Sequence, residues 1–388
     1  MSPNSRGSRI SPTPPVVTLD TLAAARQLLR ARGVTTQAGF TAERIPRRLF
    51  EHRPILIDDG AQHDEHRRTL ARFFAPAKLA QQHGDFIEQA AREAVEKARA
   101  TGGCVVDELA LHYSVTIASR IVGLTHAPVE RLAERLTRFF RQPPVDHTAS
   151  DYGRTRRDWM RAARNAIGPL IGLYLHDVRP AIRARRERRR TDIISHLIDL
   201  GYRPREILVE CLTYGTAGMV TTREFISAAC WRLLENDQLR ERYLAAGRLE
   251  RHAILAEIIR LEPPVSHLYR RVRADGQCPY PAGTLVDIDV GAANRDPEVF
   301  GDHAGRLCPG RKLPASEQTG LSFGDGAHRC PGAPLAMLEA DALLTALLRA
   351  DPVMRSAPSV HWETLIEGYQ IRGLEIDLTA PDGRPPAS

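Results

Sequence analysis

The chain has 388 residues, 43% of them apolar and 26% charged, which is too apolar for a disordered polymer and long enough to bury a deep internal cavity. Its formal net charge of +7 is carried mainly by arginine and fits an acidic partner or a codon-biased genome alike. The cysteines at 104, 211, 230, 278, 308 and 330 are scattered without CxxC spacing, and neither a signal peptide nor an apolar run of membrane-spanning length is present, so a reducing cytoplasm and no membrane partner are expected.

Residues 1–15 and 381–388 are too polar and proline-rich to form a core and are expected as disordered tails, leaving 16–380 as a single domain without a long linker. A strand is expected at Val16–Leu19. Helical periodicity follows at Leu22–Arg30, His66–Phe74, Phe86–Ala100, Val129–Phe140, Arg156–Leu175, Pro204–Leu234, Leu249–Leu261 and Leu335–Leu348. Further strands are expected at Thr284–Val290 and Leu374–Thr379, so the fold class is mainly α with small β-sheets. The polar stretch Arg141–Arg156, with Pro143, Pro144 and Gly153, predicts a long mobile loop able to gate a pocket. The run Arg183–Arg190 lacks interleaved aromatics and predicts a solvated helix end or loop, with no nucleic-acid partner.

Chemistry concentrates late in the chain, in Phe323-Gly324-Asp325-Gly326-Ala327-His328-Arg329-Cys330-Pro331-Gly332. Gly324 and Gly326 permit tight turns close to a flat ligand, and Pro334 suits the first turn of the helix that follows. Amides at that helix start are expected to lower the Cys330 pKa toward the metal-binding thiolate. About 70 residues earlier, Glu257-Ile258-Ile259-Arg260 puts an acid and a base on one helix face. Between them stands Ala292-Ala293-Asn294-Arg295-Asp296-Pro297-Glu298-Val299-Phe300. Near the start of the chain, Asp59-Gly60-Ala61-Gln62-His63-Asp64-Glu65-His66-Arg67-Arg68 places His63 and Arg67 at i,i+4.

In order and spacing these segments resemble the bacterial cytochrome P450 family over roughly residues 16–380. The resemblance implies that family's triangular helical prism around haem b, with Cys330 as the iron ligand and Phe323 and Gly324 in the cofactor loop. It assigns His63, Arg67, Arg270 and His328 to the haem propionates. Glu257, Arg260 and Arg311 would form a structural trio. The family's first helix and strand are shortened here, because Val16-Val17-Thr18 matches the strand before its second helix.

Ala217-Gly218-Met219-Val220-Thr221-Thr222 resembles the family's oxygen-binding segment. Small Ala217 and Gly218 would let O₂ and substrate approach the iron, and Thr221 would hydrogen-bond the bound oxygen. The family's acid before the threonine is Val220 in this chain, and Glu224, one turn on, is either its substitute or a surface or salt-bridge residue. By analogy Phe40, Thr213, Ala217, Val265, Leu268 and Gln370 would line the substrate pocket. No reductase domain accompanies these motifs, so a ferredoxin and ferredoxin reductase are implied as electron donors, docking on a basic face around Arg329 and Arg72.

Three functions remain open: a monooxygenase hydroxylating a small natural product, an oxidase joining aromatic rings or aromatic cyclic dipeptides by C–C or C–N bonds, and a non-catalytic recruitment module. The segments 35–43 and 217–225 are similar to natural-product tailoring members of the family.

Overall fold

The protein structure, a computed structural model, describes residues 15–39, 43 and 50–378. Phe40 and, apart from Pro15, both expected tails lie outside these residues. The chain opens with β1 (Val16–Leu19), α1 (Leu22–Arg30) and β2 (Thr35–Ala38). A helical run follows: α2 (Ala61–Phe74), α3 (Pro76–Ala100), then, after strand β3 (Gly103–Val105), α4 (Val106–Val122), α5 (Val129–Phe139), α6 (Arg156–Leu173), α7 (Arg179–Glu187) and α8 (Ile193–Asp199). Next come α9 (Pro204–Leu234), α10 (Asp237–Ala245), α11 (Arg248–Leu261), β4 (His267–Val272) and β5 (Leu285–Asp289). Single-turn helices α12 (Val290–Ala293) and α13 (Pro297–Phe300), then α14 (Ala333–Leu348), precede β6 (Val353–Ser356), β7 (Ser359–Glu363), β8 (Gly368–Arg372) and β9 (Glu375–Asp377).

The architecture is mainly helical with three small sheets, as expected. The largest has strand order β1-β5-β4-β2, with β1 parallel to β5 and the other pairs antiparallel. It therefore joins the first described residues to the segment beyond α11. The other sheets are β3-β9-β6 and the hairpin β7-β8. α9, about 46 Å long at 1.5 Å per residue, crosses the helical body and packs chiefly on α4. Its start is set by Pro204 in the first turn and by the Glu206 carboxylate, which accepts the Arg203 N–H at 2.9 Å. Ile207, Cys211, Met219, Phe225, Ile226 and Leu233 of α9 belong to the main apolar core, which α14 and α3 complete. A second core buries Leu22, Leu28 and Leu29 of α1 against Val286 and Ile288 of β5.

Several expectations need correction. α2 and α3 begin at Ala61 and Pro76, five and ten residues before the predicted starts at His66 and Phe86. The stretch expected as a mobile loop ends at Thr155 and is pinned down: the Arg154 guanidinium donates to the Pro144 and Pro143 carbonyls, Val145 N donates to Thr364 Oγ1 at 2.9 Å, and His147 and Tyr152 are buried. In the basic run, Arg185 is buried and pairs with Asp192, while its neighbours on the α7 end are solvated as expected.

Candidate functional site

The Cys330 loop is built by its backbone. Cys330 N donates to Phe323 O at 2.8 Å and Gly324 N to Leu321 O at 2.7 Å. Gly326 has φ +65°, and a Cβ there would lie 1.9 Å from Leu29 O, so only glycine lets the loop rest on the end of α1. Asp325 fixes the same contact, accepting from Gly326 N at 2.7 Å and from the Arg30 guanidinium at 2.9 and 3.1 Å. Gly332 then caps α14, with Pro334 in its first turn.

The Cys330 side chain is accessible, yet desolvation by the surrounding protein pushes its thiol pKa up. The Gly332 and Ala333 amides and the charges of Arg67 and Arg329 pull the other way and lose, which reverses the expected direction. The thiol is thus reachable from outside while protein crowds around it on most sides. Ala217 gives the matching sign on α9: it is exposed in mid-helix, while Gly215, Met219 and Val220 around it are buried.

Four predicted cations fall into one neighbourhood. The His63 ring, 1% exposed, stacks on His328 at 4.2 Å. Arg67, one turn along α2 from His63, donates to Arg329 O in the Cys330 loop. Arg270 is buried on β4, opposite Gln37 of β2. Asp59 is one carboxylate among them: its Oδ1 lies 3.0 Å from His328 Nε2, its Oδ2 accepts Gln37 N at 2.8 Å, and it acts electrostatically on Arg270. Burial drives the His63 pKa down to about 4, and the His328 charge adds to it. Burial also drives the Arg270 pKa down to about 10, which Asp59 only partly restores. His63 Nε2 and Gln37 Oε1 are buried without a partner. Two arginines, two imidazoles and the orphaned His63 Nε2, faced by the carboxylates of Asp59 and Asp64, can take a ligand bearing further carboxylates. The residues present therefore fit the propionate edge of a haem.

On α9, Thr221 Oγ1 donates to Ala217 O at 2.8 Å, and Thr213 Oγ1 to Val209 O at 2.9 Å. A Cβ on Gly218 would meet Ala118 of α4 at 3.6 Å, so Gly218 packs two helices together. Val220 is buried in the main core. Glu224 is buried too, paired with Arg223 and with Arg372 at 2.9 Å each, and it accepts Ile371 N at 2.8 Å. Of the two roles open to it, the salt bridge is the one the structure displays.

Glu257, Arg260 and Arg311 meet. Arg260 donates to Glu257 at 2.7 and 2.8 Å, and Arg311 Nη2 lies 3.3 Å from Glu257 Oε1, which also accepts Cys308 N. Arg260 reaches on to the carbonyls of Asn294 and Ala304. Among the expected pocket residues, Val265 and Thr213 are half-buried, Leu268 packs against the second core, and Gln370 donates to Glu363 within the β7-β8 hairpin at 2.9 Å. Arg72 and Arg329 are both exposed.

Sequence reasoning missed Asp59 and Gln37, and also Glu339, a wholly buried carboxyl on α14 whose pKa burial raises. Its signal was an acid, followed by Asp341 two residues on, inside the otherwise apolar run Leu335–Leu348. Among the described residues no helix is long and apolar enough to cross a membrane.

A family model described as cytochrome P450 matches residues 252–350. The chain is 28% identical over 336 residues to cytochrome P450 130 of Mycobacterium tuberculosis, covering 80% of this chain and 74% of that protein. It is 28% identical over 309 residues to the erythromycin C-12 hydroxylase of Saccharopolyspora erythraea, covering 72% of this chain and 68% of that one. Its fold superposes with TM-score 0.74 on a mutant of P450 EryK in complex with erythromycin B, at 22% identity, over 96% of this chain and 92% of the other. The Cys330 loop and the Glu257–Arg260 pair lie inside the segment that the cytochrome P450 model matches, and over most of its length the chain is similar to bacterial cytochrome P450 enzymes.

Proposed function

We propose that residues 16–380 form one domain that holds haem b on Cys330 and oxidises a small natural product with O₂, using electrons from a ferredoxin and its reductase. The observation that carries this reading is the Cys330 thiol, accessible yet desolvated, on a loop locked to α1. Bound there, haem supplies reductive activation of O₂ and oxygen transfer to a C–H bond, with thiolate donation favouring O–O cleavage. Cys330 would hold the iron as a thiolate, giving up the proton that burial otherwise keeps on it. Phe323 O anchors Cys330 N, and Gly324 gives the turn that presents the cysteine. His63, Arg67, Arg270 and His328 hold the propionates. Thr221 and Ala217 would line the oxygen side, where the Thr221 hydroxyl, which donates to Ala217 O in this structure, would be free to turn as a donor toward bound oxygen. Arg72 and Arg329 form part of a basic face for the acidic ferredoxin, in a cytoplasmic setting.

The exposed rings of Trp362 and Tyr369, edge to face at 5.0 Å on the β7-β8 hairpin, offer aromatic surface that suits an aromatic substrate. They support a second reading, in which aromatic cyclic dipeptides are coupled without oxygen insertion. Reduced wild-type protein with CO is expected to give the thiolate-type Soret band, and Cys330→Ser to lose it; a wild type without that band would refute the first reading. Under ¹⁸O₂, one labelled oxygen in the product supports hydroxylation, and an unlabelled coupled product supports the second reading.

A further inference from the structure

Between α2 and the first turns of α9 lies a buried polar cluster that the site above does not use. Glu210 on α9 is 1% exposed; its Oε1 accepts Ile55 N at 2.9 Å, and its Oε2 has no partner. His66 Nδ1 lies 4.0 Å from Glu210 Oε1 and 3.3 Å from Tyr202 Oη. The Tyr202 ring stacks on His52 at 4.1 Å. His52 reaches the surface, its side chain 28% exposed and its Nδ1 3.5 Å from Glu206 Oε2. At the inner end the Tyr214 hydroxyl, one turn along α9 from Glu210, is buried without an aligned partner and feels both Glu210 and Arg67.

A carboxyl, two imidazoles and two phenols thus succeed one another from the surface to Arg67. Each of these groups can both donate and accept. The 3.3 and 4.0 Å gaps on either side of His66 are ones that a water or a small rotation bridges. Burying an ionised carboxylate opposite a single amide N–H is costly. Burial accordingly pushes the Glu210 pKa up to about 8, and Asp58 adds to the shift. It pushes His66 down to about 4, helped by His196 of α8 and by His63, His52 and Arg67. The pair is then a neutral acid beside a neutral base. Glu224, the other buried acid on α9 near Thr221, is held by two arginines.

We infer that Tyr202, His66, Glu210 and Tyr214 form a proton-entry path from the surface at His52 to the side of the Cys330 site held by Arg67. This rests on the proposed reading that O₂ is reduced at the Cys330 site, since the path feeds the protons consumed there. Glu210 passes its proton inward through Tyr214 and regains one from bulk water by way of His52, Tyr202 and His66. No electron moves along it.

Infrared difference spectroscopy of wild type against Glu210→Gln at neutral pH should show a protonated carboxyl C=O band that shifts in D₂O and is absent from the variant. In haem-loaded protein, Glu210→Gln and His66→Leu should each raise the share of electrons lost as H₂O₂, roughly tenfold, and enlarge the solvent isotope effect on product formation. Haem content and the CO spectrum should stay as in wild type. The inference is overturned if the band is missing, or if neither variant changes the H₂O₂ share and the isotope effect. A wild type lacking the thiolate-type CO spectrum would strike the haem reading instead, removing the path's destination while the infrared band still judges whether Glu210 stores a proton.

Discussion

Arg260 has no exposed surface, and its guanidinium is shared among the Glu257 carboxylate and the carbonyls of Asn294 and Ala304. It therefore ties α11 to the chain leading into the Cys330 loop. Truncating it leaves Glu257 buried with only Arg311 and the Cys308 amide to face it. Removing one partner of such a pair costs about 3–5 kcal/mol. Arg260→Leu is expected to lower the urea midpoint of the apoprotein accordingly, and Glu257→Gln to do so less, because an amide oxygen still accepts from Cys308. Unchanged apoprotein stability with lost haem uptake would mean that the trio serves the ligand rather than the frame.

Among the elements, α9 makes the sharpest test. Glu224 joins it to β8 through the Ile371 amide and bridges Arg223 to Arg372. Glu224→Gln should speed hydrogen exchange at the Ile371 amide roughly tenfold or more, since the bond holding it weakens by about 1.5 kcal/mol or more once the acceptor is uncharged. Unchanged exchange with poorer coupling of electrons to product would make Glu224 the relay acid instead. The bounds of α9 were legible because Pro204 marks its start and a long apolar pattern follows. The early part of α3 was not, since Gln81, Gln82, His83 and Gly84 break the periodicity although Leu79 is fully buried. β4 was hidden for a related reason: its sequence His-Leu-Tyr-Arg-Arg-Val carries an arginine, Arg270, at a buried position that only a bound anion or Asp59 makes tolerable. Motif spacing singled out Cys330, His63 and Arg67, and the structure brings Arg67 onto the Cys330 loop and His63 against His328. Asp59, Gln37 and the Glu210 cluster were not singled out, because their partners lie far along the chain and only the fold brings them together.

For the molecule as a whole, buried groups with displaced pKa values make stability a function of pH, and His66 and Glu210 act in opposite directions. His66 titrates near 4 in the fold against an ordinary 6.5, so between those values the folded chain binds fewer protons than the unfolded one. Its contribution is thus lost as pH falls through that window. Glu210 titrates near 8 against an ordinary 4.5, so the folded chain binds more protons between those values, and its contribution is lost as pH rises through that window. Many other groups shape the full profile, but subtracting a variant's profile from the wild type's isolates one group. Relative to His66→Leu, wild-type apoprotein should lose up to about 3 kcal/mol on acidification from pH 6.5 to 4. Relative to Glu210→Gln, it should instead lose stability on going from pH 4.5 to 8. Thermal midpoints across pH 4 to 8 measure both. Difference curves of the same slope, or flat ones, would mean that the two groups do not sit as a neutral acid beside a neutral base, because only that arrangement makes the fold reject a proton at one of them and retain it at the other.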